Sequence, residues 1–201
     1  MMLSRTLTYF FLLGALVFSA CSESTSDDDE YANWQQRNEE YLAAVVNDSL
    51  KQPGWQRIKN YSLDETTEGK TTEYIYVKTI ESGDPTSARP AFTDSVRVAY
   101  QGRLIPSKTF PEGKVFDGTV FGTYSSKTNS NTKFLISNAT MTTGFSTALQ
   151  HMHKGDHWRV IIPYQLGYGT SSSGSVPAYS TLIFDLYLTD FWSKTRGDRE
   201  E

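Results

Sequence analysis

From residue 72 onward the apolar residues recur at every second position, and this alternation limits the possible folds more than any other feature of the chain. Residues 72–81 alternate around Ile75 and Val77, and residues 95–104 and 182–191 repeat the pattern. Because successive side chains of a β-strand point to opposite faces, this period is typical of half-buried strands. Segments rich in Gly, Ser, Thr and Pro separate these stretches, which predicts a single antiparallel sheet.

One short helix is predicted among the strands. Residues 145–152 have a helical pattern that ends near Gly155, a residue able to adopt the left-handed conformation found after many helices. Residues 157–162 then alternate again as a strand. We therefore predict an α+β domain over residues 72–192, in which an antiparallel β-sheet wraps around one short helix, followed by a polar tail over residues 193–201.

The N-terminus has the pattern of an export signal. Arg5 precedes an apolar run over residues 9–18, which is too short to span a bilayer but matches the apolar region of a signal peptide. The small residues Ser19 and Ala20 then precede Cys21, the only cysteine. This arrangement resembles a lipobox, whose cysteine is acylated after export and becomes the mature N-terminus.

We accordingly predict a signal peptide over residues 1–20 and a lipid anchor on Cys21. Phe18 departs from the lipobox pattern, which usually has leucine at this place. The chain would then be held in the cell envelope, at the outer membrane, on its periplasmic or surface face. A cleaved secretory signal and an uncleaved anchor are the alternatives.

A tether and a helix are predicted between Cys21 and the sheet. Residues 22–30 contain no apolar side chain, which indicates a solvated tether over residues 21–30. Its acidic run at residues 27–30 resembles signals that send lipoproteins to the cell surface, although a charged spacer explains it equally well.

Residues 31–50 carry apolar side chains at helical spacing before the Pro53-Gly54 break. We therefore predict an amphipathic helix within a helical N-terminal extension over residues 31–71. Packing against the domain that follows is its expected role. A dimerisation arm that forms a homodimer, or a partner-binding helix, is the alternative.

Several kinds of chemistry are disfavoured. The net charge of −4 removes the basic surface that nucleic acid requires, and the chain lacks a glycine-rich phosphate loop and a serine nucleophile elbow. His151, His153 and His157 cluster near the end of the predicted helix, but no carboxylate or thiol lies at a familiar ligand spacing. We therefore predict no metal site, and regard these histidines as exposed residues near the negative end of the helix dipole.

Five sequence blocks provide the specific signal for function. In chain order they are Val98-Ala99-Tyr100-Gln101-Gly102, Gly113-Lys114-Val115-Phe116-Asp117, Gly144-Phe145 with the helix that leads to Met152-His153-Lys154-Gly155, Ile162-Pro163-Tyr164-Gln165-Leu166-Gly167-Tyr168-Gly169, and Val176-Pro177 with Thr181-Leu182-Ile183-Phe184-Asp185. Over about 120 residues, this order and spacing resemble the FKBP family of peptidyl-prolyl cis-trans isomerases. Each block alone is weak, but chance agreement of all five in order is improbable.

The resemblance implies a shallow apolar pocket for a proline ring. Phe145 would form the floor, at a position where the family usually has tryptophan, and Thr142 would lie at the rim in place of a common apolar residue. The implied walls are Tyr100, Phe116, Met141, Val176 and Phe184. For any one of these aromatics, an ordinary core position is the simpler explanation, and it is their occurrence together that favours a pocket.

Two polar residues complete the implied site. Tyr168 would donate its hydroxyl to a substrate carbonyl, and Asp117 would lie beside the twisting amide and order Tyr100 by a hydrogen bond. The implied activity is isomerisation of X-Pro bonds in exported proteins, with no cofactor and no metal. The alternative is a catalytically weak binding module for proline-containing ligands.

The rim departs most from the family. Thr132 stands about where an aromatic residue usually closes the pocket, and the segment of residues 118–132 is longer than usual and carries Phe121 and Tyr124. A large macrolide ligand would lean on this rim, whereas a proline ring would not. We therefore expect isomerisation to be retained and macrolide binding to be weakened, unless Phe121 or Tyr124 folds back and restores the wall.

Overall fold

The computed structural model describes residues 30–125 and 130–193. The predicted signal peptide, Cys21, most of the tether and most of the polar tail lie outside these described residues. Within the described ranges, no helix combines the length and the apolar character needed to cross a membrane.

The described residues form one antiparallel sheet with two α-helices. The sheet order is β1-β2-β6-β7-β3-β4, and β5 pairs beside β3. The strands are β1 (Trp55–Lys59), β2 (Tyr74–Glu81), β3 (Asp94–Arg103), β4 (Val115–Gly118), β5 (Thr132–Leu135), β6 (His157–Ile162) and β7 (Leu182–Ser193). The helices are α1 (Trp34–Asn47) and α2 (Thr143–His151), with short 3₁₀ turns at Ser49–Lys51, Thr71–Glu73 and Tyr164–Leu166. The α+β prediction is confirmed.

Helix α2 lies on the inner face of the sheet. The Thr142 side chain caps its N-terminus by accepting a hydrogen bond from the backbone N–H of Phe145. A Cβ on Gly144 would lie 2.3 Å from Cγ2 of Ile162, so only glycine lets the first turn approach β6 this closely. This approach brings Phe145 down toward the sheet, where its side chain is buried.

Helix α1 packs against the domain that follows, as its apolar pattern predicts. Trp34, Leu42 and Val45 are buried and belong to the same hydrophobic cluster as the sheet and α2. The helix is therefore an integral part of the domain.

The sheet extends into the range that the sequence assigns to the N-terminal extension. The sequence assigns residues 31–71 to a helical extension, but β1 lies inside that range and pairs with β2 along its full length. The strand was missed because Trp55 and Ile58 are its only apolar residues and do not alternate. The sheet thus starts at Trp55, ahead of the predicted start at residue 72.

Candidate functional site

A cavity of about 210 Å³ opens between the inner face of the sheet and the start of α2. Three rings form its centre: the centroid of Phe145 lies 5.8 Å from Tyr100 and 5.0 Å from Phe184, and Tyr100 lies 6.1 Å from Phe184. Its lining residues are Tyr100, Asp117, Phe134, Thr140, Met141, Thr142, Phe145, Tyr168 and Phe184. The result is an aromatic cup with the polar groups of Asp117 and Tyr168 in its wall.

The pairing register of β3 and β7 determines which side chains form the cup. Tyr100 faces Leu186 and Gly102 faces Phe184, so side chains from both strands reach the same inner face. A Cβ on Gly102 would lie 2.7 Å from the rings of both Phe116 and Phe184. Glycine at this position therefore makes room for the two rings, which meet edge to face at 5.6 Å.

Hydrogen bonding organises the polar side of the cup. The Tyr100 hydroxyl donates to Oδ2 of Asp117 at 2.7 Å, and the backbone N–H of Gly118 donates to Oδ1 at 2.8 Å. Burial, followed by the hydrogen bond to Asp117, raises the pKa of Tyr100. Burial, followed by the Asp117 charge, also raises the pKa of Tyr168, whose side chain is 36% exposed. Both hydroxyls therefore remain protonated at neutral pH and can donate.

Seven of the nine predicted site residues line this cavity, and two do not. Phe116 is half-buried and packs its ring against Phe184, so it supports the wall without lining it. Val176 is buried within the hydrophobic core cluster, pairs its backbone with Ser173, and is not among the residues that line the cavity. Their part in binding a proline ring therefore stays a prediction.

Two lining residues were missed, Phe134 and Thr140. The ring of Phe134 lies 5.9 Å from Tyr100 and 6.1 Å from Phe145. Phe134 is two residues beyond Thr132 on β5, so both side chains point to the same face. That alternation is the signal that could have identified an aromatic wall beside Thr132.

Neither aromatic of the long rim segment restores the wall. Phe121 is 72% exposed, and the Tyr124 ring stacks on Tyr187 with a centroid distance of 3.8 Å. His157 stacks on Tyr187 as well, also at 3.8 Å. Because His157 and Tyr187 alternate with inward-facing residues of β6 and β7, this three-ring stack lies on the outer face of the sheet, away from the cavity.

The three histidines have separate environments. His151 Nδ1 lies 2.8 Å from the Thr147 carbonyl oxygen, His153 receives a hydrogen bond from Arg89, and His157 belongs to the outer stack. Across residues 30–125 and 130–193, no group of three His, Cys, Asp or Glu side chains is placed to hold a metal ion.

Comparison with protein families gives one domain match. A family model described as FKBP-type peptidyl-prolyl cis-trans isomerase matches residues 86–189, slightly more than half of the 201 residues. The matched range includes β3 through most of β7 and therefore every residue that lines the cavity.

Individual proteins are similar over the same part of the chain. The FKBP-type 22 kDa peptidyl-prolyl cis-trans isomerase of Escherichia coli is 34% identical over 121 residues, which are 60% of this chain and 51% of that protein. The outer membrane protein MIP of Legionella longbeachae is 36% identical over 115 residues, or 57% of this chain and 42% of that protein. The chain thus spans about half or less of the length of these relatives.

A solved structure agrees in fold. The crystal structure of FkpA from Escherichia coli superposes with a TM-score of 0.58 at 23% identity, and the match covers 82% of this chain and 63% of that one. At this identity the likeness concerns the fold alone.

Proposed function

Because this chain belongs to the FKBP-type peptidyl-prolyl cis-trans isomerase family, we propose that it isomerises X-Pro bonds in polypeptides of the cell envelope and so assists their folding. The observation that carries the proposal is the aromatic cup of Tyr100, Phe145 and Phe184, with Tyr168 and Asp117 in its wall. The cup is concave, largely apolar and of a size to admit a proline ring.

The cup favours the transition state by its low polarity. A planar X-Pro amide owes its barrier to resonance that places charge on oxygen and nitrogen, and the twisted amide loses that resonance. Unaided isomerisation takes tens to hundreds of seconds, so typical turnover requires an acceleration of about 10⁴ to 10⁵, or roughly 5.5–7 kcal/mol. Moving the amide from water into a cavity walled by Phe145 and Phe184 destabilises the planar, more polar form relative to the twisted one.

The polar groups fix the orientation of the substrate. The Tyr168 hydroxyl is the donor for a substrate carbonyl, whereas the Asp117 carboxylate is already bound to Tyr100 and holds that ring in the wall. These contacts accelerate the reaction only to the extent that they are stronger in the twisted state. No covalent intermediate is needed, so we propose that no cofactor or metal takes part.

An isomerisation assay on a proline tetrapeptide tests this proposal. Tyr168→Phe removes one hydrogen bond worth about 0.5–1.5 kcal/mol, which predicts a roughly two- to tenfold fall in kcat/KM. Tyr61→Phe is the matched control, because Tyr61 is 39% exposed, close to the 36% of Tyr168, and does not line the cavity. If Asp117→Ala and Tyr168→Phe together leave the rate of a folded protein unchanged, the assigned site is wrong.

A binding module for proline-containing ligands is the second candidate. Two observations favour it: the floor is Phe145, which lacks the N–H of the usual tryptophan, and Phe121 offers an exposed ring near the β4 end. Calorimetric titration of the same tetrapeptide, run beside the assay, separates the two functions. Binding of the peptide without faster cis-trans isomerisation would show that the protein is a binding module.

For location, we propose that Cys21 anchors the protein in the outer membrane. Support comes from the lipobox-like leader and from the relative whose name places it in the outer membrane. Mass spectrometry of the membrane fraction tests it, since an unmodified Cys21 or an intact leader contradicts the anchor. Whether residues 27–30 select the surface or the periplasmic face is decided by protease shaving of whole cells.

A homodimer through α1 stays a prediction. The buried face of the helix is used within the chain, so only its outer residues, such as the exposed Ala43 and the half-buried Val46, could contact a second copy. Light scattering of the purified protein distinguishes monomer from dimer.

A further inference from the structure

Two buried side chains of helix α1, Trp34 and Asn38, contact the segment that leads into β7. The indole N–H of Trp34 donates to Oγ of Ser180 at 2.9 Å. Asn38 Oδ1 accepts from the backbone N–H of Thr181 at 2.8 Å, and Asn38 Nδ2 donates to the Trp34 carbonyl at 2.7 Å. Because all these groups are buried, removing one leaves its partner without water to bind, so the bonds fix the segment to the helix.

Residues 163–181 fold back on themselves, so that a first arm, which carries Tyr164 and Tyr168, lies beside a second arm, which carries Tyr179 and Ser180. The Ser180 hydroxyl donates to the carbonyl of Pro177 at 2.7 Å. The backbone N–H of Tyr179 donates to the carbonyl oxygen of Gly169, the residue after Tyr168, at 3.0 Å. A displacement at Ser180 is therefore passed across this bond to the arm that carries Tyr168.

The helix also contacts the first arm of this segment. The ring of Tyr164 meets the ring of Tyr179 edge to face at 5.3 Å. Burial, and then the carboxylate of Glu39 on α1, raises the pKa of Tyr164. Tyr179 has φ of 62°, a left-handed conformation that a non-glycine residue keeps only where its surroundings hold it. The second arm is thus held by α1 through buried hydrogen bonds, and the first arm lies beside Glu39 of the same helix.

We propose that Trp34 and Asn38 are positioning residues for the proline site, acting through residues 163–181 on the Tyr168 hydroxyl. The inference rests on the proposed isomerase function, because Tyr168 is the donor assigned there. It gives the N-terminal helix a part in the reaction, although α1 lies outside the matched family domain and lines no part of the cup.

The first test is Trp34→Phe, which keeps an aromatic ring and removes the indole N–H. We expect kcat for a proline tetrapeptide to fall with little change in KM, by no more than the roughly two- to tenfold loss expected for Tyr168→Phe, because misplacing the donor cannot cost more than removing it. The three rings at the centre of the cup, Tyr100, Phe145 and Phe184, are not attached to this segment, so we expect binding of the proline ring to be retained. In a Tyr168→Phe background, Trp34→Phe should cause no further fall, because the donor on which it acts is gone.

Val45→Ala is the matched control. Val45 lies on the same helix and is buried, but makes no polar contact with residues 163–181, so this variant should lose stability while keeping kcat. Ser180→Ala removes the same hydrogen bond from the other side, together with the bond from Ser180 to Pro177, and serves if Trp34→Phe does not fold. A fall in kcat that Val45→Ala reproduces at equal stability, or one that adds fully to Tyr168→Phe, overturns the inference.

Hydrogen exchange separates failure of this inference from failure of the proposed function. If the protein proves inactive on the tetrapeptide, the proposed function fails, but amide protection in residues 164–181 still reports positioning. Faster exchange of this segment in Trp34→Phe than in Val45→Ala supports the inference. Equal exchange in the two variants contradicts it, whatever the activity.

Discussion

Two connections border the aromatic cup, and they are held in different ways. Residues 163–181, which carry Tyr168, are fixed by hydrogen bonds to one another and by buried hydrogen bonds to α1. Residues 118–125 begin with hydrogen bonds to β3 but then expose Phe121, and are held farther along by the stack of Tyr124 on the outer face. Hydrogen bonds fix direction and distance, whereas stacked rings can slide. Under the proposed function, residues 163–181 would form a fixed side that orients a peptide carbonyl, and residues 118–125 an adjustable side that sets which larger ligands fit.

The largest effect is expected at the buried centre of the cup, which the two connections border. Phe184 is buried and contacts Tyr100, Phe116 and Phe145, so Phe184→Ala should lower the free energy of unfolding by about 3–5 kcal/mol. Phe121→Ala is the control, because an exposed ring of the same type should change it by less than about 0.5 kcal/mol. Urea unfolding measures both values. Similar losses of unfolding free energy in the two variants would show that the buried centre of the cup and its exposed rim do not differ in this way.

An intermediate effect is expected at the adjustable side. Thr132→Phe would add a ring beside Phe134, on the same face of β5, and so extend the aromatic wall. One aromatic contact at an interface is worth on the order of 2 kcal/mol, so the variant should bind an FKBP-directed macrolide about thirty-fold more tightly. Its kcat/KM on a proline tetrapeptide should not change.

Calorimetry with the macrolide, run beside the peptide assay, measures both quantities. Nanomolar macrolide affinity in the unmodified protein would show that the open rim does not weaken binding. Loss of catalysis in Thr132→Phe would show that the rim and the proline site are not separable.

The way in which each region is held also explains which features could be predicted from the sequence. Tyr100 and Phe184 lie on long strands with clear alternation, and Phe145 lies in the first turn of α2, which has a cap and a close-packed glycine, so local patterns place them in the fold. The bond from Trp34 to Ser180 joins residues 146 positions apart, and no local pattern announces it. Likewise, nothing near Tyr124 indicates that it stacks on Tyr187 instead of closing the pocket. Core positions follow from periodicity, but the attachment of loops depends on distant partners.

The smallest effect concerns the pH dependence of the outer stack. His157 lies beneath Tyr187, and its Nε2 has no hydrogen-bond partner among the described residues, with Oδ1 of Asp185 at 4.0 Å. Burial lowers the pKa of His157; Asp185 and Glu81 act in the opposite direction, and Arg159 lowers it further. The folded protein therefore takes up this proton at a lower pH than the unfolded chain does.

The sign of the effect follows from that difference in proton uptake. The stability contributed by neutral His157 is fully present above the ordinary histidine pKa of about 6.5 and is lost as pH falls below it, where the unfolded chain binds more protons. His157→Phe keeps a ring against Tyr187 but cannot titrate, so between about pH 7.5 and 5.5 its unfolding free energy should fall less than that of the unmodified protein. Urea unfolding at the two pH values measures the difference. Parallel pH profiles would mean that the stack holding Tyr124 is no more sensitive to acid than the hydrogen-bonded side, and the contrast between the two connections would then rest on exposure alone.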